Sequence, residues 1–334
     1  MTGTEKQKLA IQLLDQFTRF GAQRVDVDIL QPADLLLDLY GEDIRGRAYV
    51  THDPLRGELM LRPDFTVPVV QRHMAEHAEP ARYCYAGPVF RQQDFDAQRP
   101  SEHTQVGYEV FDRGDPELIE AEVFNLFWSN VEHLPLKAVV GDVGLIVAAV
   151  DALTTSQARK AALKRHIWRP ARFAALLDRF ANPILQADPA DGGPGIGLRP
   201  AADVEDRFDQ LRAEAQADPI PTAEVSAVKT LLACHAPLSD AGAALDSICD
   251  VLPAFVGAMI NFDDRVEAFE DAGIDVETIA FSATYGLTSM EYYDGFVFGM
   301  IDPSRPDQPP VASGGRYDAL TRALGKGDAV PRRA

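Results

Sequence analysis

Residues 87–111 read G-P-V-F-R-Q-Q-D-F-D-A-Q-R-P-S-E-H-T-Q-V-G-Y-E-V-F. Both ends alternate as strands do, while the middle is polar, charged and interrupted by Pro100, so it reads as a loop between two strands. In the second strand Gln105, Gly107 and Glu109 point to one face, and Thr104, Val106, Tyr108 and Val110 point to the other. A Gln and a Glu flanking a Gly suit a small polar ligand, because the Gly leaves room between two hydrogen-bonding groups. The competing reading is a polar face turned to solvent.

Around this stretch the chain reads as a soluble globular protein. Its 334 residues are 46% apolar and 25% charged, enough for a large core in two domains or in one domain with an insertion. The formal net charge of −19 disfavours tRNA or DNA as the main partner, since a polyanion is repelled unless a local basic patch intervenes. No apolar run approaches a membrane span, and the first eight residues are polar with no signal-peptide core, so a cytoplasmic location is expected. Cys84, Cys234 and Cys249 are too scattered for a disulfide framework or a zinc site. His73 and His77 stand four apart, but no third ligand completes a metal set, and no metal or cofactor is expected.

In chain order, the spacing of Leu9, Leu13 and Phe17 predicts a helix over 4–20 that stops at Gly21. Alternation over 24–30 predicts a half-buried strand, and a short apolar helix follows Pro32. Residues 47–51 and 58–61, joined by Asp53-Pro54-Leu55-Arg56-Gly57, predict a hairpin. A helix then runs through Val69, Val70, His73 and Met74, with Asp64 or Thr66 as its cap. Residues 83–85 form a strand leading into the opening stretch. A helix over 116–131 buries Leu118, Val123, Phe124, Phe127 and Trp128, a strand covers 137–140, and Asp142 caps the next helix. Residues 154–275 are Ala- and Leu-rich and cut by prolines, which predicts a helical segment, with a Gly/Pro linker at 187–200. Strands are expected at 278–283, at 290–300 unless Asp294-Gly295 forms a tight turn, and from 311, then a short helix through Leu324. Runs of strands with helices before, between and after them predict an α+β fold with a mostly antiparallel sheet.

Four motifs resemble the catalytic core of class II aminoacyl-tRNA synthetases, in the histidyl branch. Leu61-Arg62-Pro63-Asp64-Phe65-Thr66 is similar to its L-R-P-E-x-T. The pair Gly87-Pro88-Val89-Phe90-Arg91 and Gln105-Val106-Gly107-Tyr108-Glu109-Val110-Phe111 is similar to G-P-x-F-R … Q-x-G-x-E-x-F. Tyr292-Tyr293-Asp294-Gly295-Phe296-Val297-Phe298 and Gly314-Gly315-Arg316-Tyr317-Asp318 resemble the two histidine signatures. The resemblance implies a class II synthetase-like antiparallel sheet flanked by helices. Residues 1–145 and 276–334 would form a histidine-binding core, and 146–275 a helical insertion. It also implies a histidine pocket. Asp64 would take the ligand ammonium, Thr66 would add a hydroxyl, and Arg91 would meet the carboxylate. Gln105 would reach the ammonium or ring, Glu109 would accept an imidazole N–H, and Tyr292 and Tyr293 would wall the ring.

The sequence departs from a synthetase where activation chemistry belongs. The histidyl family carries an Arg four residues before its Tyr-Tyr pair. Here that position is Thr288, and residues 266–304 hold no Arg or Lys at all. Loss of a transition-state cation of this kind costs orders of magnitude in rate. The third class motif, G-x-G-x-E-R, is absent, and the second motif reads Phe90-Arg91-Gln92-Gln93. A histidine pocket without activation chemistry resembles the regulatory subunits of ATP phosphoribosyltransferase. That resemblance implies a non-catalytic partner of the short-form catalytic subunit in the first step of histidine biosynthesis. Histidine would be the feedback effector, and the chain would form a homodimer within a hetero-oligomer, with no tRNA and no membrane. The alternatives are a diverged ATP-dependent amino-acid ligase acting on a non-tRNA acceptor, and a stand-alone histidine-binding protein.

Overall fold

The computed structural model describes residues 2–33, 46–76, 79–93, 100–182, 201–287 and 292–324. The expected helix after Pro32, the linker at 187–200, His77 and Thr288 lie outside these residues.

The opening stretch folds as a long antiparallel hairpin. Strand β5 (Ala81–Phe90) pairs with β6 (Glu102–Phe111) from Ala81 opposite Phe111 to Phe90 opposite Glu102. Its outer neighbour is the short β1 (Gln23–Arg24), which runs parallel to β5. Helix α1 (Gly3–Arg19) precedes β1 and is opened by a capping box between Thr2 and Glu5. Phe17 of α1 packs with Tyr108, Val110 and Ile119 behind the hairpin.

The single strand expected over 24–30 is instead two short ones in different sheets. The chain leaves β1 after Arg24 and re-enters at β2 (Leu30–Pro32), beside the hairpin β3 (Val50–Asp53) and β4 (Gly57–Leu61). The segment between them bonds outside any strand ladder: Val25 donates to the Cys84 carbonyl, and Arg62 Nη1 donates to the Val27 carbonyl at 2.5 Å. An alternating pattern is satisfied because Val25 is buried, but a buried guanidinium takes the place of a partner strand.

Helix α2 (Thr66–Glu76) follows β4, with the Asp64 carboxylate accepting from the Thr66 N–H at 3.0 Å. Helix α3 (Pro116–Val131) is capped by Asp115. It buries Ile119, Glu120, Phe124 and Leu126. Leu118, expected inside, is 57% exposed, because two carboxylates, Glu117 and Glu120, occupy the inner face beside it.

The second large sheet runs β11 (Ala312–Gly315), β10 (Phe296–Ile301), β7 (Lys137–Asp142), β9 (Ala280–Ser282), β8 (His235–Pro237). Its pairs are antiparallel except β7 with β9, which are parallel. The strand expected over 290–300 begins only at Phe296. Asp142 caps helix α4 (Val143–Ala152) by accepting from Gly144 N–H at 2.6 Å. Then come α5 (Gln157–Arg165), α6 (Pro170–Ala181), α7 (Ala201–Gln216), α8 (Thr222–Ala233), α9 (Leu238–Val251) and α10 (Val256–Asp271). Helices α3, α4, α5, α6, α8, α9 and α10 share one hydrophobic core with β7, β9 and β10, which includes Phe124, Phe262, Phe269 and Phe298. Helix α11 (Asp318–Leu324) closes the described chain.

Candidate functional site

A cleft of about 640 Å³ opens between β6 of the hairpin sheet and β10–β11 of the second sheet. All seven residues singled out from the motifs line it: Asp64, Thr66, Arg91, Gln105, Glu109, Tyr292 and Tyr293. They come from four separate stretches of chain, brought together because two sheets face each other across the gap.

Glu109 lies at the centre, 5% exposed. Its Oε1 accepts from Thr66 Oγ1 at 3.0 Å and from the Tyr85 hydroxyl at 2.8 Å, and its Oε2 accepts from the Tyr317 hydroxyl at 2.5 Å. A carboxylate has about four acceptor positions, so this one keeps room for one further donor. Burial raises the Glu109 pKa above the ordinary carboxylate value, and the three hydroxyl donors pull the other way. Burial, and then the Glu109 charge, hold the Tyr85 and Tyr317 hydroxyls well above their ordinary range, so both remain donors.

Gly107 has a different task from the one its sequence neighbours suggest. It stands directly opposite Tyr85 in the β5–β6 register. A Cβ at Gly107 would lie 2.2 Å from the Tyr85 ring. The space left by the missing side chain is therefore filled by that ring, which carries its hydroxyl to Glu109. Tyr85 in turn stacks on Phe65 at 4.3 Å, and the Arg62 guanidinium covers the other side of Phe65 at 3.8 Å. Gly315 does the same for the opposite wall, where a Cβ would meet the Tyr293 ring at 2.8 Å.

Asp64 is buried, with one oxygen accepting from the Thr66 N–H at the start of α2 and the other 4.0 Å from Arg91 Nη2. Arg91 is anchored through Nε to the Pro63 carbonyl at 2.9 Å. An acid and a base thus stand side by side at one end of the cleft. Gln105 lies on the same wall, and its Oε1 is buried with no hydrogen-bond partner among the described residues. Tyr292 and Tyr293 meet edge to face at 4.9 Å, and Tyr292 meets Tyr317 at 6.1 Å. Burial raises the Tyr293 pKa, with the Glu109 charge adding to it.

Two partners of Glu109 were not singled out from sequence. Tyr317 lies within the quoted Gly-Gly-Arg-Tyr-Asp motif, which was the available signal. Tyr85 could have been found from its place across the hairpin from Gly107. Arg47, His103 and Arg305 also line the cleft. Burial lowers the His103 pKa, and the neighbouring Arg91 charge lowers it further. Among the described residues no group of three or more His, Cys, Asp or Glu could hold a metal ion, and no helix is long and apolar enough to cross a membrane.

Comparison with known proteins agrees with this architecture. The profile of a family described as histidyl-tRNA synthetase matches residues 3–188. A solved structure from Bacillus halodurans, titled as an ATP phosphoribosyltransferase regulatory subunit/histidyl-tRNA synthetase, superimposes with a TM-score of 0.70 at 19% identity, covering 98% of this chain and 75% of that one. Histidyl-tRNA synthetase from Nostoc superimposes with a TM-score of 0.60 at 14% identity, covering 96% of this chain and 67% of that one. These likenesses establish the class II, α+β fold. Curated proteins named ATP phosphoribosyltransferase regulatory subunit, from Mesorhizobium japonicum and Agrobacterium fabrum, are each 30% identical, covering 97% of this chain and 93% of theirs. Identity at that level, sustained along nearly the whole of both chains on a histidyl-tRNA synthetase-like fold, places this chain in the ATP phosphoribosyltransferase regulatory subunit family.

Proposed function

We propose that the cleft receives free histidine and that the chain is a non-catalytic regulatory partner of a short-form ATP phosphoribosyltransferase catalytic subunit. In this reading it is needed for the first step of histidine biosynthesis and reports histidine back to it. The observation that carries the ligand is Gln105 Oε1, a buried acceptor without a donor on the wall of a polar cleft. Such an atom is costly unless something supplies an N–H. Histidine supplies one from its ammonium or its ring. Its ammonium and carboxylate match the adjacent Asp64 and Arg91, and Thr66 contributes its hydroxyl beside them. Its neutral ring offers an N–H to the open acceptor position of Glu109, with Tyr292 and Tyr293 along its faces. An apolar amino acid would leave that carboxylate under-satisfied, which is the basis of selection.

The regulatory role is supported by the name the relatives carry and by the absence of any Arg or Lys over 266–304. Because effector and substrate affinities are linked, histidine must bind one state of the complex better, with a coupling of about 1–3 kcal/mol. The test mixes this chain with a short-form catalytic subunit and follows phosphoribosyl transfer. The expected result is activity that depends on this chain and falls when histidine is added; no dependence on the chain overturns the reading. Calorimetry adds the ligand: Glu109→Gln should weaken histidine binding while leaving assembly intact. A second reading, an amino-acid ligase, draws on Arg47 and Arg305 as cations along the same cleft. Histidine-dependent exchange of pyrophosphate into ATP by the isolated chain would favour it over the regulatory one.

A further inference from the structure

A second buried polar cluster touches the cleft through Glu120 and reaches into the helical segment. Arg265 of α10 donates from Nε to Glu120 Oε2 at 2.6 Å, and its Nη1 lies 2.8 Å from Asp142 Oδ2. Glu120 of α3 then turns its other oxygen to Arg316, 3.6 Å from Nη1. Arg316 also forks onto Asp318 Oδ2, at 3.1 Å from Nε and 3.0 Å from Nη2. Arg265, Glu120, Asp142 and Asp318 are all buried. The Arg265 guanidinium lies 5.1 Å from the Phe296 ring, and the Phe296 carbonyl receives the Arg316 N–H at 2.8 Å. Arg316 immediately precedes Tyr317, whose hydroxyl closes on Glu109. The Arg316 carbonyl receives the N–H of Asp294, the residue after Tyr293.

We propose that Arg265 is a positioning residue for the cleft: through Glu120 and Arg316 it sets where Tyr317 meets Glu109, so that the packing of α10 and the state of the cleft are coupled. The inference deepens the histidine reading and uses its ligand in one arm of the test. The physical argument is one of constraint. A guanidinium has a fixed planar fork, so pairing with Glu120 and Asp142 at once defines its orientation. A carboxylate gripped on one oxygen presents the other in a fixed direction. Arg316 is thereby held on two sides, by Glu120 and by Asp318, and the backbone that carries Tyr317 is held with it. A shift of α10 meets a largely buried set of ion pairs with little side-chain freedom, so it is passed along or breaks an ion pair. No residue of α10 lines the cleft, so any effect of Arg265 on the ligand is indirect, through Glu120 and Arg316 or through the Phe296 ring, both Glu120 and Phe296 being lining residues.

The test compares Arg265→Lys with Arg159→Lys in the full-length chain. Arg159 is equally buried in the helical segment, and it donates to the carbonyls of Asp218 at 2.7 Å and Ala217 at 3.3 Å, remote from the cleft in these contacts. The first arm needs no ligand: amide hydrogen exchange is followed over residues 104–111 and 312–320. Arg265→Lys should speed exchange in both segments, and Arg159→Lys in neither. In the second arm, calorimetry with L-histidine should show affinity reduced by about tenfold for Arg265→Lys and unchanged for Arg159→Lys. Should Arg265→Lys not fold, Glu120→Gln takes its place, since it keeps an acceptor for Arg265 and drops the charge facing Arg316. Unchanged exchange over 312–320, or equal effects of the two arginine variants, overturns the proposal. If the exchange arm separates the variants while the unmodified chain takes up no histidine, the coupling stands and the histidine reading falls.

Discussion

Glu109 and Glu120 are both buried glutamates whose pKa burial raises, yet their surroundings differ in kind. Glu109 is met by three neutral hydroxyls, from Thr66, Tyr85 and Tyr317. Glu120 is met by two guanidiniums, from Arg265 and Arg316. Hydroxyls satisfy lone pairs and leave the charge uncompensated, so the cleft remains receptive to a further donor. Guanidiniums neutralise the charge, so the second cluster offers little to a further donor and is sensitive to losing a member. One carboxylate is arranged to receive something and the other to hold something.

The comparison can be broken most severely at Arg265. Replacing it with Ala leaves Asp142 buried without its cation and Glu120 with Arg316 alone, and should cost about 3–5 kcal/mol of stability in urea unfolding. A cost below about 1 kcal/mol would mean the cluster holds nothing. Next in size is Asp294, which stands between the two regions. Burial, and then the Asp318 charge, raise its pKa from 3.8 to about 6, while Arg322 and Arg316 draw it down. Between those two values the folded chain keeps a proton that the unfolded chain has lost, so stability falls as pH rises through the window. Asp294→Asn should remove that slope and gain up to about 3 kcal/mol at pH 7, as read from denaturant midpoints at pH 4 and pH 7. Gly107→Ala probes the receptive region directly. The new methyl displaces the Tyr85 ring, costs about 1–3 kcal/mol, and should remove the Tyr85 bond to Glu109; a crystal structure with that ring unmoved would contradict the packing argument. The smallest effect on stability, within about 1.5 kcal/mol, is expected for Glu109→Gln, since a neutral isostere keeps the hydroxyl network while removing the desolvated charge. Its signature lies in binding: unmodified chain should lose histidine affinity as acid protonates Glu109, and the variant should lose that part of the pH dependence.

Much of the receptive region is legible in the linear sequence because motifs are short and local. The alternation over 102–111 places Gln105 and Glu109 on one face, and the two runs flanking the Pro100 loop give the two strands, though not their register. Helix α2, and α4 with its Asp142 cap, follow from the same local chemistry. The holding region is illegible for the opposite reason. Arg265 looks like any charge on an amphipathic helix, and nothing nearby in sequence marks its partner Glu120, 145 residues away. Leu118 misleads in the same way: its spacing suits the inner face, but the ionic cluster claims that face for Glu120.

By itself, the sequence determines the α+β class, most of its helices and longer strands, and the residue types available to a polar pocket, but not β8 (His235–Pro237), which lies in a stretch read as helical. These depend on periodicity, turn chemistry and caps, which act over a few residues. Only the tertiary structure decides that Thr66, Tyr85 and Tyr317 share the Glu109 carboxylate, that the Tyr85 ring fills the space over Gly107, and that the stretch 24–30 divides between two sheets. Those outcomes depend on which buried groups find partners across long stretches of chain, and burial makes each unmet partner costly enough to settle the arrangement.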